Sequence, residues 1–415
     1  MTGTGYELPR LRPEVVLGPP LRSGPTVVHH VKDPATGHYY RIGPREHFIM
    51  RRMDGTHTLD DISREYAGTY DRLLGQDSWA QMFTLLSRRQ LLDGLAEDAA
   101  LARLKAEYEA KRPDRGTWFQ KRWVLLRPDS LCTTLARRFR FALYPAFVVP
   151  MLLVAVALQV FVWSHVPTLV TDASHRTSWP ITVPVSLALI WATTAAHELA
   201  HGVTCKHFGG SVAEIGVRWR FPMIAAYCRT DDIMLFHRRS ARVATAFAGV
   251  FVNMVTLLPV MLLWWLTPGW PLGHSLAAGL LLFGSVGVIV NLLPFLQLDG
   301  YAMLAHMLDM ADLKRECVRF WRLRLGGRTP EIRELMRAYP ARDVWIYTLY
   351  GAFSLLFLGS AYSLLMWFWY DSLQESLGAL PAILVLVAET ALVAGLMKYA
   401  ARVRAARALR KVSND

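Results

Sequence analysis

The sequence is poor in cysteine and in charged residues. Four cysteines occur in 415 residues, at positions 132, 205, 228 and 317, and no two of them have CxxC spacing. We therefore expect reduced thiols and no disulfide framework. Charged residues make up 19% of the chain, whereas 53% of it is hydrophobic. This composition argues against an ordinary soluble enzyme and favours a mainly α-helical, polytopic membrane protein with a soluble part.

Two further features narrow the class of protein. The residues after Met1 are polar and include no apolar run, so we expect no cleavable signal peptide. The net charge is +13, yet residues 1–118 hold 17 Lys and Arg against 16 Asp and Glu. The basic excess therefore belongs to the apolar part of the chain, where it fits loops on one side of a membrane better than a nucleic-acid surface. We expect no nucleic-acid partner.

About six transmembrane helices are predicted, because six apolar runs are each long enough to cross a hydrocarbon core of ~30 Å. They cover approximately residues 141–164, 181–205, 243–266, 276–296, 344–369 and 377–397. The segments 206–242, 300–342 and 398–415 hold 22 Lys and Arg, whereas the alternate loops hold only Arg176. The positive-inside rule predicts a multi-pass protein of the cytoplasmic membrane, with both termini in the cytoplasm.

The second apolar run contains His197-Glu-Leu-Ala-His201. On a helix the two histidines lie one turn apart on the same face. Two imidazoles so placed can bind one metal ion, and Glu198 beside them can act as a general base. This short pattern also arises by chance on surface helices of soluble proteins. Ionisable side chains are costly inside an apolar span, so here a functional site is the favoured interpretation.

Asp299 is the candidate that would complete this site. A catalytic zinc usually takes three protein ligands and leaves one position for water. Asp299 follows the fourth apolar run, and the topology places it on the same side of the membrane as His201. An Asp-Gly pair there is also a common helix-ending turn, but its depth matches that of the histidines. Pro294 and Gly300 are expected to break the helix and turn Asp299 inward.

Together these segments resemble the site-2 protease family of intramembrane zinc metalloproteases. Three motifs in order carry the resemblance: His197-Glu-Leu-Ala-His201, Gly249-Val-Phe-Val-Asn253 and Asn291-Leu-Leu-Pro…Leu298-Asp-Gly300. It covers about residues 181–305. It implies a Zn²⁺ cofactor held by His197, His201 and Asp299, with Glu198 as general base and acid. The active site is then expected to face the cytoplasm.

Several neighbouring residues keep two interpretations. Asn253 and Asn291 can donate to an oxyanion or hold the substrate backbone, or they can simply hydrogen-bond between helices. Residues 209–228 predict a cytoplasmic hairpin, whose edge either adds a substrate strand or is only structural. Glu389, in the middle of the sixth run, can pair with another span or line a water path, and the sequence assigns it no role.

The N-terminal region predicts a small α+β winged-helix-like domain. Two β-rich runs flank a Pro/Gly turn, and three helical segments follow, beginning near Pro44, Thr58 and Asp77. Residues 26–96 resemble the PqqD-like leader-recognition domains found in the biosynthesis of ribosomally made peptides. The matching segments are Met53-Asp-Gly-Thr56, Leu59-Asp-Asp-Ile62 and residues 85–95. The resemblance implies that a leader peptide binds as an added strand. A DNA-binding winged helix is the alternative, which the near-zero charge disfavours.

These observations divide the chain into five segments: an extended arm (1–25), a peptide-recognition domain (26–96), a charged linker with an interfacial segment (97–140), a six-span metalloprotease domain (141–400) and a basic tail (401–415). We predict a membrane-embedded zinc endopeptidase that removes the leader of a ribosomally synthesised peptide. The alternatives are regulated intramembrane cleavage of a membrane-anchored signalling protein and a non-proteolytic peptide-binding export or immunity factor. The expected partners are a peptide substrate and the lipid bilayer, and the oligomeric state stays open.

Overall fold

The computed structural model describes residues 8–94, 96–111, 120–174, 179–220, 223–326 and 329–412. It confirms a mainly α-helical polytopic protein with a small N-terminal region of strands. Six of its helices are long and apolar enough to cross a membrane.

The N-terminal domain begins with an antiparallel sheet of four strands: β1 (Val16–Leu17), β2 (Leu21–Ser23), β3 (Thr26–Asp33) and β4 (His38–Ile42). β3 is central, with β1 and β2 on one edge and β4 on the other. The strands β1 and β2 fall in the segment predicted as an extended arm. The turn at Gly24, whose φ is +58°, folds the chain back so that β2 pairs with the first half of β3. β1 pairs with the opposite end of β3.

Three helices complete this domain: α1 (Pro44–Arg52), α2 (Leu59–Tyr70) and α3 (Gln76–Arg88). Thr58 and Asp61 form a capping box at the start of α2. The third helix begins one residue before Asp77, with Gly75 at its N-cap. The domain core joins the sheet to the helices through buried apolar side chains, including Val31, Met50, Ile62, Leu86 and Leu91.

The segment predicted as a linker contains regular structure. It forms α4 (Asp98–Lys111), β5 (Gln120–Leu126) and α5 (Asp129–Arg138), while residues 112–119 lie outside the described part. The expected interfacial segment therefore ends in a strand. β5 pairs along one edge with a strand about ninety to a hundred positions further along the chain, and that pairing satisfies the backbone groups of this edge.

The membrane half contains α6 (Pro145–Ser164), α7 (Val166–Ser174), α8 (Trp179–His207), α9 (Arg239–Leu266) and α10 (Pro271–Leu292). Between α8 and α9 lies a hairpin of β6 (Glu214–Arg220) and β7 (Met223–Arg229), giving a sheet in the order β5-β6-β7. α9 packs against α6, α8 and α10. A buried apolar cluster that includes Val162, Met254, Leu257 and Leu281 joins α6, α9 and α10.

Five further helices follow α10: α11 (Asp299–Met307), α12 (Leu313–Leu325), α13 (Pro330–Arg337), α14 (Ala341–Leu377) and α15 (Ala379–Val412). The spans α14 and α15 pack on each other, and α12 crosses α14. A second buried cluster, which includes Leu313, Phe320 and Tyr347, joins α12 to α14.

The N-terminal domain contacts the membrane half directly. In β2 the Arg22 N–H donates to the Asp309 carbonyl at 2.7 Å, and the Ala311 N–H donates to the Arg22 carbonyl at 2.9 Å. Elsewhere Lys32 pairs with Asp232 at 2.7 Å. The hydrogen bonds from Lys32, Tyr39 and Ser211 hold the pKa of the Asp232 carboxyl below its usual range despite its burial. The domain is thus joined to the segment that follows α11.

Candidate metal centre

His197 and His201 lie four residues apart on α8 and face the interior of the membrane half. Their side chains are buried, with exposures of 7% and 8%. The two Nε2 atoms are 3.2 Å apart. The i, i+4 spacing of the sequence therefore produces a pair of imidazoles that converge on one point.

Asp299 reaches the same point from the other side. α10 ends at Leu292, the next six residues are not helical, and Asp299 is the first residue of α11. A Cβ atom added at Gly300 would lie 2.1 Å from the Leu292 carbonyl oxygen, so only glycine allows this close approach. Asp299 Oδ2 lies 3.0 Å from His197 Nε2, and Oδ1 lies 3.4 Å from His201 Nε2.

The spacing of these three groups fits a zinc ion. Zn–N and Zn–O bonds of about 2.0–2.1 Å in tetrahedral geometry place neighbouring ligand atoms about 3.3 Å apart. The observed separations are 3.0, 3.2 and 3.4 Å. The Asp299 Oδ2 atom is buried, and its contact with His197 Nε2 at 3.0 Å is one that a shared metal ion would replace. In the described part of the chain this is the group of His, Cys, Asp and Glu side chains that could hold a metal.

Gly249 on α9 leaves the space that this group requires. A Cβ atom at Gly249 would lie 2.5 Å from Nε2 of His197 and 2.5 Å from Nε2 of His201. Any other residue would therefore occupy the volume in front of the two imidazoles. Gly249 belongs to one of the three motifs that carried the family resemblance. The structure explains why this position of the motif is a glycine.

A backbone carbonyl fixes the orientation of His201. Its Nδ1 lies 2.7 Å from the Thr245 carbonyl oxygen on α9. Because a carbonyl oxygen only accepts, Nδ1 carries the proton and a neutral ring has its lone pair on Nε2, directed at the candidate site. His197 Nδ1 is buried and has no hydrogen-bond partner among the described residues. The rings of the two candidate ligands are therefore held unequally.

Glu198 lies beside the histidines and is buried, with 8% exposure. The backbone of Cys228 in β7 lies next to its carboxylate. The neighbouring Arg229 carbonyl accepts from Ala213 and so faces β6. Because successive residues of a strand face opposite edges, Cys228 faces the outer edge of β7. The predicted hairpin is thus present, and its outer edge lies along the helix that carries Glu198.

The cysteines near the site are not donors to it. Cys132, Cys205 and the nearby Cys228 pack in an apolar cluster behind α8. Burial raises the pKa of Cys132 to about 11 and also raises the pKa of Cys228. In the described part of the chain, the group of side chains placed to hold a metal contains no cysteine. A Cβ atom at Gly202 would lie 2.8 Å from Cys132 Sγ, so the small residue after His201 allows α5 to pack closely on α8.

The two candidate substrate-binding asparagines lie on different helices. Asn253 is one turn beyond Gly249 on α9, and its Oδ1 atom is buried without a hydrogen bond to a described residue. Asn291 is half-buried in the last turn of α10, eight residues before Asp299. Asn253 therefore lies on the helix that faces the histidines, and the roles of both asparagines stay predictions.

Behind the site, an ion-pair network joins α9 to the end of α11. Arg242, at 2% exposure, pairs with Asp309 and also donates to the Phe236 carbonyl at 2.9 Å. Arg239 pairs with the same carboxylate. This network, the Thr245 carbonyl and the Cys228 N–H were not found from the sequence. The Thr245 carbonyl and the Cys228 N–H are backbone groups, for which no side-chain pattern exists. The ion pair between Arg242 and Asp309 joins positions 67 residues apart.

The fold and the site together define a polytopic membrane protein with a His–His–Asp group suited to a zinc ion. Over 126 residues, which are 30% of this chain, the sequence is 26% identical to a protein of Bacillus subtilis (strain 168) named "Putative peptide zinc metalloprotease protein YydH". The match spans 48% of that protein, so this chain covers about half the length of the curated relative. No family model matches the chain, and no solved structure gives a significant match.

Proposed function

We propose that this protein is a membrane-embedded zinc endopeptidase of the site-2 protease type that cleaves a peptide at the cytoplasmic side of the membrane. The convergence of His197, His201 and Asp299 next to Glu198 carries the proposal. The printed name of the Bacillus relative, a peptide zinc metalloprotease, supports the same chemistry. The basic loops on the side of His201 support the cytoplasmic orientation.

The roles of the side chains follow from their chemistry. His197, His201 and Asp299 would hold the ion, which supplies Lewis-acid polarisation of the scissile carbonyl and activation of water. Glu198 takes the proton of the attacking water and passes it to the leaving amine. The backbone N–H of Cys228 lies next to the Glu198 carboxylate and is suited to orient that side chain before substrate arrives. Asn253 offers an amide to the substrate backbone.

The outer edge of β7 is suited to present the substrate. Cys228 faces this edge, and the alternation of the strand gives Ile224 and Ala226 the same orientation. In the described sheet β7 pairs with β6 alone. A peptide added as a strand would be extended, as cleavage requires, and would lie beside Glu198. Ile224 is 61% exposed, which leaves room for a bound chain.

We further propose that the N-terminal domain recognises the leader of a ribosomally made peptide. β4 pairs with β3 on one edge, and the opposite edge pairs with no other strand of the described sheet. α3 packs on one face of this sheet, with Met82 and Leu86 of α3 in the same buried cluster as Ile42 of β4. An added strand on β4 would extend the sheet beside α3 and pair its backbone groups with those of β4.

The test compares purified wild type with Glu198→Gln. Both proteins should carry about one zinc by elemental analysis, and only wild type should cut a peptide that carries a leader. Glu331→Gln, an exposed carboxylate on α13, is the matched control and should cut normally. Normal cleavage by Glu198→Gln would show that another group is the general base. Absence of zinc from wild type would overturn the metal assignment.

Leader recognition needs a separate measurement. The inactive Glu198→Gln protein should bind a leader peptide in calorimetry, and a peptide without its leader should bind at least tenfold more weakly. Equal binding of the two peptides would contradict leader recognition while leaving the peptidase assignment intact. The small open reading frames beside the gene define which peptides to test.

A further inference from the structure

We propose that a groove between α12 and α14 binds an anionic phospholipid. The groove has a volume of about 1520 Å³ and lies outside the candidate metal centre. Its lining is almost wholly apolar, with Lys314 and Arg322 as its cationic members. This binding site would be a property additional to peptide cleavage, and it does not depend on the proposed reaction.

The wall of the groove is built by a close crossing of two helices. The Trp321 Nε1–H of α12 donates to the Tyr347 carbonyl of α14 at 3.1 Å. A Cβ atom at Gly351 would lie 2.1 Å from the same nitrogen, so glycine is required where the indole lies against α14. The crossing fixes one end of the groove, while α14 continues past it.

The apolar part of the groove runs along α14 from Tyr350 to Trp367. At 1.5 Å per residue these seventeen steps span about 25 Å, which exceeds the ~15 Å of hydrocarbon in one leaflet. Side chains along it are strongly exposed, including Leu355 at 76%, Leu364 at 65% and Trp367 at 65%. This length and composition suit acyl chains.

The basic end of the groove suits a phosphate headgroup. α12 carries five basic residues and one acidic residue, Glu316. Glu316 is buried and faces the N-terminal domain, where Ser23 donates to it at 3.4 Å. The positive charge on the groove side is therefore not cancelled by the acid of its own helix. By the loop charges, this end lies at the cytoplasmic leaflet, where anionic lipids create a negative surface potential.

Charge at one end and a long apolar channel below it match an amphiphile better than a protein helix. A transmembrane helix in this groove would need acidic residues against Lys314 and Arg322 and small residues against α14. A phospholipid can place its phosphate at the basic end and its acyl chains in the channel, and it needs neither acidic nor small residues to do so. Basic pockets between membrane helices on the cytoplasmic side bind anionic headgroups in this way.

The occupied groove would contact the segment that leads to Asp299. Phe295 lines the groove and packs on Phe357, with ring centroids 5.2 Å apart. Tyr350, also in the lining, donates to the Pro294 carbonyl at 3.2 Å. The lipid would therefore support the non-helical residues between α10 and α11.

The test is native mass spectrometry of the full chain released from detergent with phosphatidylglycerol or phosphatidylcholine. Wild type should retain phosphatidylglycerol in preference. Lys314→Gln with Arg322→Gln should weaken this binding by about fivefold for each charge removed. Gly359→Trp should abolish retention of both lipids, because Gly359 lines the groove and nothing lies within 4 Å of its Cβ position.

Two matched controls locate the effect. Gly395→Trp on α15 also enters open space and should leave lipid retention unchanged. Arg333→Gln on α13 removes one charge outside the groove and should also have no effect. Equal retention of the two lipids by wild type would overturn the proposal. So would normal retention by Gly359→Trp, which would place the lipid elsewhere on the surface.

A photo-crosslinking residue at Leu355 identifies the occupant directly. Recovery of a lipid adduct from membranes supports the proposal. Recovery of a polypeptide adduct in its place would show that the groove holds a protein segment and would overturn it.

Discussion

Gly249→Ala is the smallest change that tests the candidate metal centre. It adds one methyl group to α9 and removes no ligand. The new Cβ atom would lie 2.5 Å from the Nε2 atoms of both His197 and His201. His201 cannot turn away without losing its 2.7 Å hydrogen bond to the Thr245 carbonyl. The methyl group therefore competes directly with a metal ion for the space between the imidazoles.

The size of the effect follows from these distances. Ordinary carbon–nitrogen contact needs about 3.5 Å, so each imidazole must move by about 1 Å. Metal–ligand distances tolerate only about ±0.2 Å. We expect zinc affinity to fall by about 100-fold, the upper end of the range for disturbed ligand orientation. The stability of the metal-free protein should change less than its zinc affinity. Alanine adds an overpacking cost of about 1–3 kcal/mol, and its better helix propensity offsets about 0.5–1 kcal/mol of that cost.

The assay is competition for zinc between the detergent-purified protein and a chromogenic chelator. Gly279→Ala on α10 is the matched control, since nothing lies within 4 Å of its Cβ position. That variant should keep wild-type zinc affinity. If Gly249→Ala binds zinc as tightly as wild type does, the metal is not held between these imidazoles.

Two further outcomes are expected. Asp299→Ala leaves the two histidines without a third ligand, so zinc affinity in the same competition assay should drop sharply; unchanged affinity would place the third ligand elsewhere. Burial, together with electrostatic interactions with His29, Arg51 and His237, lowers the pKa of His47 to about 4. An unfolded histidine binds its proton near the usual value of about 6.5. The unfolded state therefore binds more protons between about pH 6.5 and 4, and the N-terminal domain should lose stability as pH falls through this window. Hydrogen exchange of β3 and α1 across that range measures this loss, and His47→Gln should reduce it. Burial also lowers the pKa values of His29 and His30, so part of the loss should remain in this variant.

The two histidines were predictable because their spacing equals one helical turn, and Asp299 because the topology placed it at the same depth. The end of the fourth span was predicted four residues too late. Residues 293–296 are apolar, so hydropathy continues through them, but Pro294 cannot continue the helix and α10 stops at Leu292. Those residues instead form the turn that aims Asp299 at the histidines.

The partners of β5 were not predictable. Its sequence alternates poorly, and basic and aromatic residues there suggested a membrane interface. The strand exists because Val124 pairs with Gly216, where a Cβ atom would lie 2.1 Å from the Trp123 carbonyl oxygen. Such a long-range pairing depends on a glycine almost a hundred positions away, which no local pattern in the strand reveals.

The N-terminal domain forms part of the support of the candidate metal centre. Its Arg22 backbone pairs with residues 309 and 311, and the Asp309 carboxylate pairs with the buried Arg242 of α9. Three residues after Arg242, the same helix offers the Thr245 carbonyl to His201, and α11, which begins at Asp299, ends two residues before Asp309. The helix that orients one candidate ligand and the helix that carries another are therefore joined at a point that the N-terminal domain contacts. Burial of the Arg242 guanidinium is costly unless it is paired, and the Asp309 carboxylate supplies that pair. The contact therefore ties the N-terminal domain to the helix that orients His201 and to the helix that begins at Asp299.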